Sequence, residues 1–231
     1  MNPTKSSPLE NTMKNIHLVR HAQSHANAGG HAMPNADIPI TALGQEQAKQ
    51  VADWLLETLG DDIASISVSE YLCTQQTAQY LLEKTGFQPT IIDGLQEFNY
   101  LNFADIEYKK PSEIRELADN YWLNFEPDTL DEKGAENFNQ FVARVQQVQA
   151  YFDNLPDGNH VVFTHGLWIS MLIWLMLGQP TDNNIAMQRY RQFEMAIRPK
   201  NCDVWQLMLN DNAPPAITKV RSRAVTTPNE E

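Results

Sequence analysis

This chain has few cysteines, few basic residues and no long apolar run, and each of these features excludes some classes of protein. Two cysteines, Cys73 and Cys202, in 231 residues cannot form a disulfide framework, so a reducing, cytoplasmic location is expected. Only 17 Lys and Arg stand against 29 Asp and Glu, for a formal net charge of −12. Because nucleic acids and anionic membranes attract basic surfaces, neither is an expected partner. The longest apolar stretch, residues 167–177, has about half of the ~20 residues that a membrane span requires, so it predicts a buried helix.

The sequence predicts one domain between two polar ends. Residues 1–13 contain prolines and serines but no apolar core, which predicts a disordered extension and not a secretory signal. Residues 14–209 show no internal repeat, low-complexity block or linker, and the chain's hydrophobic content of 42 % fits one soluble domain. Residues 210–231 predict a loose C-terminal tail, in which Lys219, Arg221 and Arg223 are expected in solvent.

Short apolar segments alternate with segments of helical spacing. Thr41 predicts the N-cap of a first helix and Ser69 that of a second, because side-chain oxygens at this position accept hydrogen bonds from the first turn. Further helices are predicted at residues 112–125, 138–152 and from Leu167, and strands at residues 16–19, 63–68, 90–92, 160–164 and 202–209. The alternation predicts an α/β fold, a three-layer α/β/α sandwich with a mostly parallel central sheet.

Two of the predicted strands run directly into a histidine. His21 follows the apolar run that ends at Arg20, and His165 follows the run at 161–164. Ligands gather at the carboxyl ends of parallel strands. We therefore expect the two imidazoles and the Arg20 guanidinium to meet in a site that handles an anion.

Seven segments resemble, in order, the histidine phosphatase superfamily, also called the phosphoglycerate mutase-like family. They are Leu-Val-Arg-His-Ala-Gln-Ser-His-Ala-Asn at 18–27, residues 37–48, Gln-Thr-Ala at 76–78, Leu-Gln-Glu at 95–97, Gly-Ala-Glu at 134–136, Phe-Thr-His-Gly at 163–166, and Asn-Cys-Asp-Val at 201–204. The resemblance spans residues 14–209 and implies a phosphoglycerate mutase-like fold.

The resemblance also implies roles for individual residues. His21 is the expected nucleophile, which forms a phosphohistidine. Arg20 is expected to grip the phosphate and to keep the His21 imidazole neutral. His165 is expected to stabilise charge on the phosphoryl oxygens, together with the backbone at Gly166. Glu97 is the candidate acid and base, although Glu107 and Glu113 lie nearby and a solvated, inert carboxylate is the alternative.

Cys73 departs from the family pattern. The family has an arginine four residues before the threonine that corresponds to Thr77, as a second clamp on the phosphoryl oxygens, and this chain has Cys73 there. A thiol cannot fork onto two phosphate oxygens and carries no positive charge. The nearest cation in the segment is Lys84. The departure predicts a weak phosphatase, an enzyme with a shifted choice of substrate, or an Arg-to-Cys variant of an active protein.

Other polar residues allow two interpretations each. Asn27 either donates to phosphate or stabilises a turn. Glu136 and Arg144 either contact substrate or form a helix-surface pair. His17, His21 and His25 suggest zinc, but a spacing of four does not converge in a strand, so no metal and no cofactor are expected.

The predicted function is a metal-independent phosphomonoesterase that acts on a small phosphorylated substrate through a phosphohistidine. The alternatives are a phosphoglycerate mutase-type transfer, which needs water excluded and more cations, and an impaired module that binds phospholigands. Residues 98–133 are irregular and are a natural insertion over the substrate. Most of the aromatic residues there are expected to pack in the core. The substrate and the oligomeric state stay open, with a dimer as one option.

Overall fold

Six strands form one sheet in the order β3-β2-β4-β1-β5-β6 in the computed structural model, which describes residues 13–222. Their bounds are β1 Met13–Arg20, β2 Ile63–Val68, β3 Thr90–Ile91, β4 Gly158–Thr164, β5 Val204–Asn210 and β6 Ala213–Arg221. Strands β3, β2, β4 and β1 run parallel, whereas β5 pairs antiparallel with β1, and β6 with β5. The predicted α/β fold with a mostly parallel sheet is confirmed.

Seven helices accompany the sheet in residues 13–222. They are α1 Ala42–Leu59, α2 Leu72–Thr85, the single turn α3 Phe103–Ile106, α4 Pro111–Asn124, α5 Phe138–Asp153, α6 Gly166–Met176 and α7 Asn184–Ile197. Thr41 is the N-cap of α1, as predicted, and its side chain accepts from the Gly44 amide at 3.0 Å. Ser69 does not cap α2. The helix starts at Leu72, and its N-cap residue is Tyr71.

The sheet separates two apolar cores. Ile16, Leu18 and Val162 face the core built by α4, α5, α6 and α7. Val19 and Phe163 face the other core, against α1 and α2. Because consecutive residues of a strand point to opposite faces, buried strands that are apolar on both sides require helices on both sides. The helices thus form two layers around the sheet.

The end of the described chain differs from its prediction. Residues 213–221 form β6, an edge strand along β5, where a loose tail at 210–231 was expected. Two prolines, Pro214 and Pro215, made this segment look unlike a strand in the sequence. An edge strand tolerates prolines because its outer side needs no hydrogen bonds to a neighbouring strand. Lys219 bonds to the buried carboxylate of Asp203 at 2.9 Å. Met13 begins β1, while the rest of the predicted N-terminal extension, as well as Arg223, lies outside the described residues.

The apolar stretch at 167–177 lies mainly in α6, whose residues fill the first core. Among the helices of residues 13–222, none is long and apolar enough to cross a membrane. The aromatic side chains of the irregular region mostly join the same core, as expected. Phe98, Tyr121 and Trp122 are buried there, whereas Tyr108 is exposed.

Candidate active site

The register of β1 and β4 brings the two strand-end histidines together. Arg20 pairs with Thr164 at the last position of the parallel ladder, and the His21 amide donates to the Thr164 carbonyl at 2.9 Å. The centroids of the His21 and His165 rings lie 5.1 Å apart, with an angle of 56° between the ring planes. The structure therefore places both imidazoles and Arg20 at one edge of the sheet.

His21 has one ring nitrogen held and one free. Its Nδ1 lies 2.8 Å from the carbonyl oxygen of Ala22, and because a carbonyl only accepts, this nitrogen carries the proton. The Nε2 lone pair is then available for a ligand. Burial, and next the positive charge of Arg20, lower the pKa of His21 to about 3. At neutral pH the ring is uncharged and can act as a nucleophile.

Ser69 orients His165. The hydroxyl of Ser69 lies 2.9 Å from His165 Nε2 and 2.8 Å from Thr74 Oγ1, and the Tyr71 ring stands edge-on to the imidazole at 5.2 Å. Burial, followed by the charges of the surrounding groups, holds the pKa of His165 well below its ordinary value. The sequence marked Ser69 as a helix cap, and only the folded chain shows that it serves this histidine instead.

Arg20 lines the cavity and packs closely against the backbone of Gly166. Its Nη1 donates to the Pro199 carbonyl at 2.6 Å, while its buried Nε has no hydrogen-bond partner among the described residues. A Cβ on Gly166 would lie 3.3 Å from this Nε, so glycine permits the close approach. Burial lowers the pKa of Arg20, and Glu97 is the largest opposing influence. An unpaired donor beside two neutral imidazoles is suited to an anion.

Glu97 lies against the first turn of α6. Its carboxylate accepts from the amides of Phe98 at 3.1 Å, Leu167 at 3.2 Å and Trp168 at 3.3 Å. Burial raises the pKa of Glu97, although the amides of Leu167 and Phe98 oppose that rise. The amides of Leu167 and Trp168, at the start of α6, are thus bonded to a carboxylate, and the role expected for the backbone at Gly166 stays a prediction.

Arg144 holds the segment that carries Glu97. Its guanidinium donates to the carbonyls of Gly94 at 2.9 Å, Gln96 at 2.6 Å and Glu97 at 3.1 Å. The same guanidinium bonds to both carboxylate oxygens of Glu136, at 2.5 and 2.8 Å. Of the two interpretations open for these residues, the pairing is present, although the pair is half-buried and does not lie on a helix surface. Arg144 and Glu136 form a half-buried brace for the loop.

A cavity of about 140 Å³ collects these groups. Its lining residues are Arg20, His21, Ser24, Ala26, Asn27, Asn35, Ile38, Tyr71, Cys73, Glu97 and His165. Arg20 is the basic side chain among them, and Glu97 is the acidic one. Cys73 is buried here, and burial raises the pKa of its thiol to about 12. The position that the resemblance assigns to a second arginine thus points an uncharged thiol into the cavity.

Asn27 lies at the rim, held by Asn201, which belongs to one of the seven resembling segments but received no role from the sequence. Its Oδ1 accepts from the Asn201 amide at 2.9 Å and from the Ser24 backbone at 3.3 Å. The same Asn201 nitrogen donates to the His21 carbonyl at 2.9 Å. The Asn27 amide nitrogen is consequently the end of that side chain left for a ligand.

A second cavity of about 420 Å³ continues outward from Arg20, Asn27 and Glu97. Arg191, Arg198 and Lys200 line it together with Glu194 and Gly166. Glu194 is buried and forms ion pairs with Arg191 at 2.6 Å and Arg198 at 3.7 Å. The sequence pattern did not reveal these cations, because neither α7, which carries Arg191, nor the segment that follows it with Arg198 and Lys200 was predicted.

Several other candidates lie away from the small cavity. Glu113 accepts from the Lys110 amide and closes the first turn of α4, and Glu107 lines a different cavity. His17 bonds to Asn159 at 3.3 Å, and His25 is exposed. Among the described residues, the group of metal-binding side chains whose ligand atoms converge is His21, Cys73 and His165. The trio of His17, His21 and His25 does not converge.

The fold agrees with comparisons to known proteins. The sequence profile of the histidine phosphatase superfamily (branch 1) matches residues 16–212. The chain therefore belongs to the histidine phosphatase superfamily.

Its relatives within the family carry phosphatase and mutase names. A protein named probable phosphoglycerate mutase GpmB from Enterobacter is 27 % identical over 195 residues, which cover 83 % of each chain. Among solved structures, a putative alpha-ribazole-5'-P phosphatase from Escherichia coli is 26 % identical with a TM-score of 0.69, covering 93 % of this chain and 98 % of that one. The alpha-ribazole phosphatase from Shigella flexneri is 25 % identical with a TM-score of 0.67, covering 93 % and 100 %.

Proposed function

We propose that the chain is a phosphomonoesterase that uses His21 as its nucleophile and requires no metal. The observation that carries the proposal is the neutral His21 ring, whose Nδ1 is tied to a backbone carbonyl while its free Nε2 shares a cavity with His165 and the unpaired Nε of Arg20. Membership of the histidine phosphatase superfamily supports it. A small phosphorylated compound is the proposed partner.

In the first half-reaction the His21 Nε2 lone pair attacks phosphorus and forms an N–P bond. The P–O bond to the leaving group breaks, and protonated Glu97 gives its proton to the departing oxygen. The raised pKa of Glu97 favours the protonated form that this step needs. Arg20, Asn27 and His165 donate hydrogen bonds to the equatorial oxygens, where charge accumulates.

In the second half-reaction water takes the place of the alcohol. The Glu97 carboxylate accepts a proton from the water as its oxygen attacks phosphorus, and the N–P bond breaks with its electron pair returning to His21 Nε2. Inorganic phosphate leaves, and both residues regain their starting protonation. Dividing one difficult displacement into two easier ones is the general advantage of a covalent intermediate.

Cys73 limits this activity. Removing one preorganised hydrogen-bond donor to a transition-state anion commonly lowers the rate of the catalysed reaction by about 10²–10³-fold. The proposed enzyme is therefore slow on simple phosphomonoesters.

A substrate panel and a chemical trap test the proposal together. Purified protein is incubated with small phosphomonoesters in chelator, and reactions with radiolabelled substrate are quenched in alkali, because the N–P bond of phosphohistidine breaks in acid. We expect turnover, a labelled protein in the wild type, and neither in His21→Ala. Turnover that survives in His21→Ala refutes the nucleophile. His25→Ala, which alters an exposed histidine near the same loop, is the matched control and should retain both signals.

Mutase activity is the second candidate, favoured by relatives that are named probable phosphoglycerate mutases. The cations of the irregular region speak against it: Lys109 and Lys110 line another cavity, and Lys133 is paired with Asp105. A mutase needs its phosphohistidine protected from water. Faster transfer of phosphate from bisphosphoglycerate to monophosphoglycerate than to water would establish the mutase.

An impaired module that binds phospholigands is the third candidate, and Cys73 is the observation that favours it. Phosphate binding by calorimetry without any trapped phosphohistidine would establish it. A reducing, cytoplasmic location belongs to the proposal, because the chain has only two cysteines and both are buried.

A further inference from the structure

Three side chains in the small cavity bring soft ligand atoms together. The ring nitrogens of His21 and His165 and the Cys73 sulfur all lie within 4.8 Å of one another, and all three residues are buried. The three come from separate elements, namely the ends of β1 and β4 and the first turn of α2. The cluster depends on Cys73, since an arginine at this position supplies no metal ligand.

We propose that His21, Cys73 and His165 bind one Zn²⁺ ion, and that the bound ion blocks the phosphatase by occupying the nucleophile. Imidazole and thiolate are preferred ligands of zinc, at about 2.0–2.1 Å for nitrogen and about 2.3 Å for sulfur. Tetrahedral geometry at these lengths separates the ligand atoms by about 3.3–3.6 Å. Side-chain movements of roughly an ångström bring the present cluster to that spacing.

Both histidines already have the outer contacts that zinc ligands usually have. Metal-binding imidazoles commonly use the second ring nitrogen to bond a backbone carbonyl or another fixed polar group. His21 bonds the Ala22 carbonyl through Nδ1, which directs Nε2 to the metal. His165 bonds the Ser69 hydroxyl through Nε2, which leaves Nδ1. Coordination through His21 Nε2 and His165 Nδ1 would keep both of these hydrogen bonds.

With Cys73 at this position, the charge of the cavity suits a cation better than it would with a second arginine there. Arg20 and Glu97 oppose each other in its lining, and Cys73 adds no positive charge. On binding, the thiol proton leaves to solvent and the thiolate offsets part of the ion's charge. Ser24, Asn27 and Asn35 line the rest of the cavity, and water or a phosphate oxygen there would supply the fourth ligand of a tetrahedral zinc site.

Binding of the ion does not rest on the proposed function, whereas its inhibitory effect does. The first experiment therefore measures binding alone, with Co²⁺ as a spectroscopic substitute for Zn²⁺ on the full chain under reducing conditions. We expect one Co²⁺ per chain with a thiolate-to-metal charge-transfer band, displaced by one equivalent of Zn²⁺. Cys73→Ser should lose the band and weaken zinc binding at least about tenfold, since even residues behind the ligands change affinity by about 10–100-fold.

Two controls exclude other sites. Cys202→Ala alters the other buried cysteine, and a His25→Gln, His31→Gln double variant removes two exposed histidines. Both should keep the band. Thermal melts confirm that each variant folds, and wild-type Tm should rise with Zn²⁺ while that of Cys73→Ser should not. No charge-transfer band in folded wild type, or equal zinc affinity in Cys73→Ser, overturns the site.

The second experiment concerns inhibition. Zn²⁺ should inhibit wild-type turnover and prevent phosphohistidine trapping, with recovery in chelator, while Cys73→Arg should be at least tenfold less sensitive. Suppose that the protein without metal turns over through His21 and shows the Co²⁺ charge-transfer band, yet is not inhibited by Zn²⁺. That result overturns only the inhibitory role of the ion. Failure of the chelated form to turn over refutes the phosphatase and leaves the zinc site standing.

Discussion

The two sides of the small cavity are built differently. On the strand side, Arg20, His21 and His165 are fixed by the β1–β4 ladder, through the pairing of Arg20 with Thr164. On the helix side, Cys73 comes from the first turn of α2. Thr77 links that turn to the strand side, since its hydroxyl accepts from the Ala22 amide at 2.9 Å and donates to the Cys73 carbonyl at 2.6 Å.

The difference shows which part of the site can vary. Moving either histidine requires a change in strand register, which would turn every strand residue to the opposite face. The side chain at position 73 can change without disturbing the Thr77 contacts, because both are made to backbone groups. Charge on the helix side is thus separable from the nucleophile on the strand side.

Removal of the nucleophile should have the largest effect. His21→Ala is expected to lower kcat by about 10⁴-fold or more, because no other group forms the N–P bond. Steady-state assays in chelator measure it. Equal losses in His21→Ala and in His160→Ala, a buried histidine bonded to Ser65 and Pro156, would indicate damage to folding instead.

Restoring charge on the helix side should have the next largest effect. Cys73→Arg is expected to raise kcat/KM by about 10²–10³-fold, since a guanidinium can bond two phosphoryl oxygens. Cys73→Gln adds length without charge and should give little increase. Flat or reduced kcat/KM in Cys73→Arg, with an unchanged Tm, would show that position 73 does not face the transferred phosphoryl group.

Loosening the brace behind Glu97 should have a moderate effect. Arg144→Gln is expected to reduce kcat about 10–100-fold, because small displacements of a catalytic group have effects of this order. The alkaline limb of the pH–rate profile should also shift, since Arg144 contributes to the charge environment of Glu97. Arg115→Gln, at an exposed residue of α4, is the control. A lower kcat with an unmoved profile contradicts a positioning role.

The smallest predicted effect concerns stability against pH. The pKa of His21 is about 3 in the folded chain, below about 6.5 in the unfolded chain. Between these values the unfolded state takes up a proton that the native state does not, so stability is full above pH 6.5 and falls as pH decreases. The slope approaches roughly 1 kcal/mol per pH unit for each such histidine. Urea unfolding should show a shallower slope in His21→Gln, and an equal slope contradicts the burial of a neutral ring.

The sequence predicted the parts of the site that depend on local patterns. Strand ends followed by histidines predicted that His21 and His165 meet, because strand direction and side-chain alternation are local properties. The Thr41 cap was visible for the same reason. The role of Ser69 was not, since its hydroxyl bonds a histidine that is distant in sequence. The brace formed by Arg144 arises only when helices pack, and so does the grouping of the cations that line the second cavity. The strand signal of β6 was hidden by its prolines.

The β1–β4 pairing has a consequence for synthesis of the protein. Strand β4 lies between β2 and β1 in the sheet although it follows them by a long stretch of chain. A nascent chain that has emerged only as far as α5 can build neither the ladder nor the pocket at its end. Contacts between residues so far apart in sequence slow folding. Until they form, the edges of the unpaired strands stay exposed. The reactive imidazole consequently acquires its buried surroundings late, after most of the polypeptide has left the ribosome.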